Sequence, residues 1–463
     1  MLPDQILSRL KNIVGDANVL LEPQDLQRFG VDRTTLWQPN PCAIVLPGSV
    51  EAVQKLVLLA NECNLAIVPS GGRTGLSGGA VANNGELIIA MDRLNEVLDF
   101  NPIDRSVTLG AGMITQHLQD FASSKDLLYP VDFASTGSSQ IGGNIATNAG
   151  GINVIRYGMT RDWVIGLKVV TGAGDILDFN QGLLKNNTGY DFRHLFIGSE
   201  GTLGLICEAT LQLTRPQADT TVMVLGIETF PAIVDVLQAF SAQIDLSAFE
   251  FFSQAALDKV TERQGHPKPF TTQTPFYALL EFETTPLALD AAMALFEHCV
   301  EQGWVLDGVV SQSLAQARAL WRLREDISET LWHWQPYKND ISVRVSKMPD
   351  FLREVDQLVA ARYPDFEVVW YGHIGDGNLH LNILKPPGLT QSDFFERCGP
   401  VSLEIGEMLA RYGGSVSAEH GVGLLKKSLL AFSRSPVEIE MMRLIKKAFD
   451  PKSILNPGKV FDP

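Results

Sequence analysis

The sequence predicts an α+β fold in two parts, and three observations support this prediction. Residues 43–46 and 65–69 are short apolar strands on either side of a helical stripe at 50–60, which is a βαβ pattern. After Pro216 the order changes to strand, helix and strand, which favours an antiparallel sheet with helices on one face. The length of 463 residues is itself too great for one ordinary domain.

The composition is that of a globular protein, with 45% hydrophobic and 19% charged residues. The formal net charge of −16 argues against nucleic acid or an anionic membrane surface as a partner. The five cysteines are scattered and form no Cys-x-x-Cys pair, so neither a disulfide framework nor a cysteine metal site is predicted. No signal peptide or membrane-spanning run is expected, and the cytoplasm is the predicted location.

The first 40 residues are predicted to be a helical lead-in. Apolar residues between positions 6 and 14 lie on one helical stripe, and Gly15 ends it. Residues 18–40 contain Pro23 and Pro39 and are predicted to be irregular. The segment leads into the first strand of the βαβ pattern.

A glycine-rich loop at residues 70–80 directly follows the second strand. Five of its eleven residues are glycine, and their exposed backbone N–H groups favour phosphate binding. The loop lacks the Gly-Lys-Ser/Thr of a Walker loop, and no helix is predicted after it as in a dinucleotide-binding fingerprint. A flexible linker is the alternative, but the loop follows a buried strand and carries Arg73.

A second stretch, residues 136–158, is rich in Gly, Ser, Thr and Asn. A surface linker would be more charged, and a core segment would be more apolar. We expect this stretch to lie along a large polar cofactor, with its backbone close to the ligand and its side chains donating hydrogen bonds. Strands at 164–171, 176–179 and 205–213 are predicted to follow.

Two of the eight histidines, His373 and His380, flank a predicted tight turn at residues 375–377. A straight strand would place residues seven apart on opposite faces, whereas this Gly-Asp-Gly turn lets both imidazoles face one space. Glu419 is the best candidate for a third metal ligand, because it lies in a small-residue segment with His420 beside it as a base. On spacing alone, hydrogen-bonded hairpin histidines and an N-capping Glu419 are the favoured alternative.

Arg324 lies on a predicted helix, residues 315–334, one turn before Ser328. Its guanidinium could clamp a carboxylate with two parallel hydrogen bonds. A salt bridge to Glu325, Asp326 or another neighbour is equally compatible with the sequence.

These segments, taken in order, resemble the FAD-linked 2-hydroxyacid dehydrogenases of the vanillyl-alcohol-oxidase flavoprotein superfamily. The matching segments, within a likeness from about residue 43 to 461, are 69–80, 136–158, 198–204, 371–382 and 417–423. The domains that the resemblance implies are a lead-in at 1–40, an FAD-binding domain of the PCMH type at 41–216, an α+β substrate domain at 217–424 and a C-terminal segment returning to the FAD domain at 425–463.

The resemblance implies non-covalent FAD, because residues 70–75 contain neither the His nor the Cys that carries the covalent flavin of some relatives. Those six residues would hold the pyrophosphate, and residues 136–151 would line the flavin. The residues assigned to the cofactor are Ser70, Gly71, Gly72, Arg73, Thr74, Gly75, Gly79, Thr136, Gly137, Ser139, Gly142, Gly143, Asn144, Thr147, Gly151, Gly201 and Asn456.

The remaining site residues follow from the resemblance to the D-2-hydroxyglutarate members of this family. They are Arg324, Ser328 and Lys338 for the distal carboxylate of the substrate, His373, His380 and Glu419 for the metal, and Asn382 and His420 for the active site. Arg344 stands where several relatives have a small residue or proline, which leaves the length of the substrate open.

These parts together predict a dehydrogenase that oxidises a D-2-hydroxy acid to the 2-oxo acid by hydride transfer to FAD. A divalent metal, Zn²⁺ first and Mn²⁺ or Co²⁺ as alternatives, would lower the pKa of the substrate hydroxyl, and His420 would take its proton. Arg324 and Lys338 favour a dicarboxylate such as D-2-hydroxyglutarate or D-malate, because a short substrate would leave both cations unpaired.

Other functions stay open at this stage. A D-lactate or glycolate dehydrogenase is the alternative within the family, with Lys338 only a surface charge. A metal hydrolase acting on a nucleotide and a non-catalytic flavin sensor are the alternatives from other classes. The electron acceptor implied by the family is an electron-transferring flavoprotein or a quinone, and a homodimer is left open.

Overall fold

A computed structural model describes residues 2–34, 36–216 and 218–462 of the chain. The chain forms two compact units. The first comprises Met1–Gly150, Met159–Pro216 and Glu419–Pro463, and the second comprises Gly151–Gly158 and Gln217–Ala418. The predicted domain limits at residues 1, 217 and 463 fall on positions outside the described residues.

The strands and helices of both units are numbered in chain order. The strands are β1 (Val19–Leu20), β2 (Ala43–Val45), β3 (Ile67–Ser70), β4 (Leu87–Ala90), β5 (Val97–Asn101), β6 (Ser106–Gly110), β7 (Val164–Thr171), β8 (Ile176–Phe179), β9 (Gly204–Gln212), β10 (Thr220–Ile227), β11 (Leu246–Ser253), β12 (Phe276–Glu283), β13 (Val305–Val310), β14 (Tyr337–Ser342), β15 (Val368–Gly372) and β16 (Asn378–Ile383). The α-helices are α1 (Asp4–Val14), α2 (Pro23–Phe29), α3 (Val50–Cys63), α4 (Thr115–Ser123), α5 (Ile141–Thr147), α6 (Val154–Tyr157), α7 (Thr160–Trp163), α8 (Arg193–Phe196), α9 (Phe230–Ser241), α10 (Gln254–Gln264), α11 (Pro286–Glu301), α12 (Leu314–Glu325), α13 (Ile327–Leu331), α14 (Met348–Arg362), α15 (Gln391–Tyr412) and α16 (Pro436–Phe449). Short 3-10 helices are Asp16–Asn18, Met91–Arg93, Trp332–Trp334, Val345–Lys347 and Lys427–Phe432.

The first unit contains a smaller, mostly parallel sheet and a larger antiparallel one. The smaller sheet has the order β1-β2-β4-β3, in which β2 and β3 both run parallel to β4 while β1 pairs antiparallel with β2. The predicted βαβ pattern therefore exists, but β4 lies between its two strands. The larger sheet, β5-β6-β9-β7-β8, is antiparallel at every pairing.

Helix α3 packs its apolar face against the smaller sheet. The helix begins after Ser49, whose hydroxyl oxygen accepts a hydrogen bond from the N–H of Ala52. It buries Val53 and Leu56 in one core with Leu10 of α1 and apolar residues of the strands. Burying each aliphatic side chain of this size stabilises the fold by about 1.5–3 kcal/mol.

The C-terminal tail is part of the same unit. Leu455 forms a parallel bridge with Ile67 of β3, and the N–H of Asn456 donates to the carbonyl oxygen of Ile67 at 2.7 Å. A buried ion pair between Lys446 of α16 and Asp450 adjoins this tail, with 2.8 Å between Nζ and Oδ2. The residues after α16 therefore belong to the core of the first unit.

The second unit is built on a sheet of seven strands in the order β13-β10-β12-β11-β15-β16-β14, and every pairing is antiparallel. Its core joins strand residues such as Phe252 and Leu279 to Leu320 of α12 and Ile327 of α13. The predicted antiparallel sheet with accompanying helices is therefore present.

Some elements differ from the sequence prediction. Residues 18–40, predicted to be irregular, contain α2, which begins at Pro23 because proline is favoured in the first helical turn. The predicted helix at 315–334 is divided between α12 and α13 at Asp326, which caps both and has a low preference for helix interiors. The polar stretch at 136–158 contains α5 and α6, where no helix is predicted.

Candidate active site

Two histidines of the second unit lie at a β-hairpin. Strands β15 and β16 place Tyr371 opposite His380, and His373 follows the last residue of β15. Gly377 closes the turn with a φ of +90°, and a Cβ there would lie 2.1 Å from the carbonyl oxygen of Val343, so only glycine fits. The two imidazole rings have centroids 5.3 Å apart and lie at 83° to each other. The turn therefore brings both rings close together.

Each of these imidazoles has a buried carboxylate on its Nδ1 side. Nδ1 of His373 lies 2.8 Å from Oε1 of Glu250, and Nδ1 of His380 lies 3.8 Å from Oδ1 of Asp340. Both acids are only 1% exposed. A carboxylate that accepts the Nδ1–H of an imidazole leaves Nε2 with a lone pair, which is the form that binds a metal. The contact with Glu250 gives His373 this arrangement.

Glu250 is also paired with Arg324. Nη2 of Arg324 lies 2.7 Å from Oε2 of Glu250, and the guanidinium lies 4.8 Å from the ring centroid of Tyr371. This contact is an ion pair and not a hydrogen bond: Nε and Nη2 of Arg324 have no hydrogen-bond partner among the described residues. Arg324 is thus in a salt bridge, although its partner is Glu250 rather than Glu325 or Asp326.

Glu419 comes within ligand distance of the two histidines. One ligand atom each of His373, His380 and Glu419 lies within 4.8 Å of the other two. A second group, formed by Asp340, Glu419 and His420, meets the same distance limit. Two imidazoles and one carboxylate form a donor set that suits Zn²⁺ and leaves a coordination position for substrate.

The residues predicted to hold the distal carboxylate include two on α13 and β14. Nζ of Lys338 lies 3.4 Å from Oγ of Ser328 and 4.5 Å from the ring centroid of Trp332. Asn382 pairs with Lys338 across the β14–β16 ladder. The Oδ1 atom of Asn382 is buried and has no hydrogen-bond partner among the described residues. A buried acceptor of this kind favours a ligand that can donate a hydrogen bond to it.

Glu250 and Asp340 are two residues of the site that are not predicted from the sequence. Glu250 lies in β11, whose eight residues are all buried. An acid inside a strand whose other residues are apolar or serine is the feature that could have indicated a buried partner, because an unpaired carboxylate is costly to bury. Its partner His373 is 123 positions away, so no local pattern identifies it.

In the first unit, Arg73 and Gly72 shape the loop that follows β3. Arg73 has a φ of +60°, and its guanidinium lies 3.1 Å from a carboxylate oxygen of Asp92 and 4.4 Å from the ring centroid of Phe29. Its charge is therefore partly balanced inside the protein. A Cβ on Gly72 would lie 2.2 Å from the carbonyl oxygen of Ser138, so this loop contacts the second glycine-rich stretch directly.

Side chains of that second stretch bond to other protein groups. Oγ1 of Thr115 lies 2.8 Å from Oγ of Ser139 and accepts a hydrogen bond from Nδ2 of Asn144 at 2.7 Å. The hydroxyl of Thr136 donates to Oδ1 of Asp132 at 2.9 Å. The sequence predicts that these groups bind the flavin, which stays a prediction, and their contacts within the protein fix the shape of the segment.

The glycines of both stretches test whether FAD fits. A Cβ on Gly137 or Gly143 would meet nothing within 4 Å. At Gly71, Gly75 and Gly79 the nearest atom to such a Cβ would be at least 3.5 Å away. Gly137 and Gly143 therefore border open space, where phosphates or a flavin ring could approach the backbone, whereas a Cβ at the other three glycines would be in ordinary van der Waals contact.

Other residues predicted for the cofactor have structural contacts. A Cβ would lie 2.7 Å from the nearest atom at Gly142 and 2.4 Å at Gly201, so both glycines allow close packing of the chain. Thr147 donates to a carbonyl oxygen of its own helix at 3.1 Å. Oγ of Ser70 accepts from Arg73 at 3.2 Å, and Thr74 lies half-buried in the same loop.

Asn456 also fits a cofactor role. Its Nδ2 donates to the carbonyl oxygens of Gly79 and Glu200, at 2.9 and 2.7 Å. Its Oδ1 is buried and has no hydrogen-bond partner among the described residues, so a ligand donor would satisfy it. Gly151, predicted to line the flavin, belongs to the short segment of the second unit.

Two buried charged side chains of the first unit have shifted pKa values. Glu200 accepts the N–H groups of Val422 and Gly423 at 2.7 and 2.8 Å, and burial raises its pKa while these bonds oppose the rise. Burial lowers the pKa of Lys459 to about 8, against the attraction of two nearby acids. A buried ammonium of this kind is stabilised by any anion beside it.

Comparison with known protein families shows to which class of protein this chain belongs. Residues 216–460 match the C-terminal domain of FAD linked oxidases, and residues 41–180 match an FAD binding domain. The chain therefore belongs to the FAD-linked oxidase family and is an FAD-dependent oxidoreductase. No helix among the described residues has the length and apolar character needed to cross a membrane.

The similar curated proteins narrow the class further. The chain is 57% identical to a D-2-hydroxyglutarate dehydrogenase of Stutzerimonas stutzeri over 98% of each protein. It is 55% identical to a D-2-hydroxyglutarate dehydrogenase of Xanthomonas citri pv. viticola, over 100% of this chain and 98% of that one. A putative mitochondrial D-lactate dehydrogenase of Schizosaccharomyces pombe is 33% identical over 99% of this chain and 90% of that protein. The predicted likeness to FAD-linked 2-hydroxyacid dehydrogenases is confirmed.

Solved structures support the fold. p-Cresol methylhydroxylase with substrate bound has a TM-score of 0.75 at 16% identity, covering 99% of this chain and 97% of its own. Alkyldihydroxyacetonephosphate synthase has a TM-score of 0.73 at 19% identity, covering 99% of this chain and 86% of its own. These likenesses concern the fold alone, and they confirm the predicted α+β architecture with a PCMH-type FAD-binding part.

Proposed function

We propose that this chain is an FAD- and metal-dependent dehydrogenase that oxidises D-2-hydroxyglutarate to 2-oxoglutarate. The substrate is the one named for the relatives at 57% and 55% identity. The observation that supports a metal is the approach of ligand atoms from His373, His380 and Glu419 to within 4.8 Å of one another. This donor set fits Zn²⁺ best and also accommodates Mn²⁺ or Co²⁺.

The chemistry divides between the bound groups and the side chains. When bound, FAD supplies a hydride acceptor and the divalent metal supplies Lewis-acid polarisation of the substrate hydroxyl. His420 would take the hydroxyl proton, and its place in the group with Asp340 and Glu419 supports this role. Loss of that proton and of the hydride from C2 turns the 2-hydroxy acid into the 2-oxo acid.

Arg324 and Lys338 would select the second carboxylate of the substrate. Nε of Arg324 is buried without a hydrogen-bond partner among the described residues, so a carboxylate oxygen would satisfy it. Nζ of Lys338, beside the hydroxyl of Ser328, would supply a second positive group. Asn382 would bind the substrate through its buried Oδ1 atom.

D-Lactate oxidation is the second candidate, and the relative from Schizosaccharomyces pombe supports it. In that case Lys338 would pack on Trp332 and bond Ser328 without selecting the substrate. An electron-transferring flavoprotein or a quinone would reoxidise the flavin in either case. A cytoplasmic location completes the proposal.

Anaerobic mixing with D- and L-2-hydroxy acids tests the function, with the flavin absorbance followed near roughly 450 nm. D-2-Hydroxyglutarate should bleach the flavin fastest, a chelator should stop the bleaching, and added Zn²⁺ should restore it. Faster bleaching by D-lactate would replace the first candidate by the second. Undiminished bleaching after complete metal removal would contradict the metal part of the proposal.

The variant Lys338→Ala tests substrate selection. It should lower kcat/KM for D-2-hydroxyglutarate about tenfold more than for D-lactate, because a lost charge-assisted hydrogen bond costs about 1.5–3 kcal/mol. Lys259→Ala is the matched control, because Lys259 also lies 4.6 Å from a tryptophan ring centroid but is paired with Glu367 at 2.9 Å. Equal losses with both substrates would refute the selecting role of Lys338.

A further inference from the structure

Glu250 is an acidic residue in a buried strand, where an ionised side chain lowers the stability of the fold unless it is paired. It lies in the middle of β11, where all eight residues are buried, and it is 1% exposed. An ionised carboxylate in such a position is tolerated only when it is paired and hydrogen-bonded. Its two oxygen atoms must therefore have partners, and those partners indicate what the residue does.

The two oxygens of Glu250 face different groups. Oε1 lies 2.8 Å from Nδ1 of His373, and Oε2 lies 2.7 Å from Nη2 of Arg324. One oxygen accepts a hydrogen bond from the imidazole, while the other faces the guanidinium that balances its charge. The guanidinium is in turn placed over the ring of Tyr371, 4.8 Å from its centroid.

The geometry points to Glu250 as a positioning residue that orients His373 for metal binding, with Arg324 holding Glu250 in place. This inference rests on the proposed metal-dependent function. The carboxylate fixes the Nδ1–H tautomer and the rotation of the ring, so that Nε2 is directed to the metal. Arg324 would then have two roles: it would bind the substrate carboxylate, as predicted, and it would also hold Glu250 in place.

The same sheet supplies a matched control. Glu281 of β12 lies opposite Ala248 of β11, is half-buried, and accepts hydrogen bonds from Trp321 and Thr220 at 2.8 and 3.2 Å. It is therefore a hydrogen-bonded glutamate of the same sheet whose hydrogen bonds go to residues other than the predicted metal ligands. A purely structural role should make the two glutamates respond alike to substitution.

Zn²⁺ affinity of the FAD-loaded protein, measured by competition with a chromophoric chelator, tests the inference. Glu250→Gln should weaken Zn²⁺ binding about 10–100-fold, as is usual for loss of an outer carboxylate. Glu281→Gln should change it less than about twofold, and both variants should keep the visible flavin spectrum. In His373→Ala, adding Glu250→Gln should cause no further loss, because the glutamate acts through that histidine.

Several results would overturn the inference. Unchanged Zn²⁺ affinity in Glu250→Gln, with a clear loss in His373→Ala, would refute the role of Glu250 and leave the proposed function standing. Equal losses in the Glu250 and Glu281 variants would do the same. Absence of Zn²⁺ binding by the unaltered protein would overturn the proposed metal site itself. If Glu250→Gln does not fold, the neutral pair Glu250→Gln with Arg324→Gln removes both buried charges, and wild-type affinity in that pair would also refute the role.

Discussion

Lys446→Met should destabilise the first unit strongly. Nζ of Lys446 donates to the carbonyl oxygens of Thr202 and Leu455, both at 2.9 Å, and to Oδ2 of Asp450 at 2.8 Å. Lys446 is 5% exposed and Asp450 is 0% exposed, so the substitution leaves a buried carboxylate without its cation. Removing one partner of a buried pair costs about 3–5 kcal/mol.

The structure places the expected loss near the lower end of that range, at about 3 kcal/mol. Asp450 keeps two backbone donors, the N–H groups of Ile454 and Leu455 at 3.0 and 2.8 Å. Adding Asp450→Asn to Lys446→Met removes the unpaired charge and should recover about half of the loss or more. Lys447→Met is the matched control, because Lys447 is the next residue of α16, is exposed, and has no ion pair within the described part of the chain.

Urea unfolding at neutral pH measures these differences, with far-UV circular dichroism and flavin release as separate probes. The FAD concentration must be held constant, because a bound ligand adds to the free energy of unfolding. A loss below about 1 kcal/mol in Lys446→Met, close to what surface substitutions cause, would contradict the stabilising role of the Lys446–Asp450 pair. An equal loss in Lys447→Met would refute it as well.

Three further predictions concern other parts of the molecule. Burial lowers the pKa of Lys459 from 10.5 to about 8, so the folded chain binds fewer protons than the unfolded chain between these two pH values. The melting temperature of the apoprotein should therefore rise with pH across this window, and Lys459→Met should flatten the rise. Gly377→Ala should lower the melting temperature more than Gly388→Ala, because both positions have φ near +90° but, of the two, only Gly377 has an atom within 4 Å of the added Cβ. Equal losses in the two variants would contradict the contact of Gly377 with Val343. Gly143→Val should fold, but its affinity for FAD should fall about tenfold or more, because the new side chain fills open space beside the backbone. Flavin fluorescence measures the affinity, and an unchanged value would mean that the cofactor binds elsewhere.

Local patterns in the sequence predict much of the fold. The strands at 164–171 and 176–179 have the predicted bounds, and the helical stripe at 50–60 lies within α3, because alternation and helical stripes are properties of neighbouring residues. Strand β13 is missed, since Asp307 and Gly308 are disfavoured in strands and are accommodated at the edge of the sheet.

The candidate site is less accessible from the sequence, because its contacts are between distant positions. The hairpin that holds His373 and His380 follows from its glycines, but the contact of His373 with Glu250 spans 123 positions. Composition likewise suggests that Ser139 and Asn144 bind a ligand, which stays a prediction, but it does not reveal that both contact Thr115. Residue type does not determine the direction in which a polar side chain points.

The position of the tail in the first unit has a consequence for biosynthesis. The ribosome delivers residues 1–216 and then residues 217–418 before it delivers the segment 419–463. Until Leu455 arrives beside Ile67, β3 is an uncovered sheet edge in the nascent chain. Such edges invite pairing with other chains, so β3 is open to incorrect pairing until the segment 419–463 has been made.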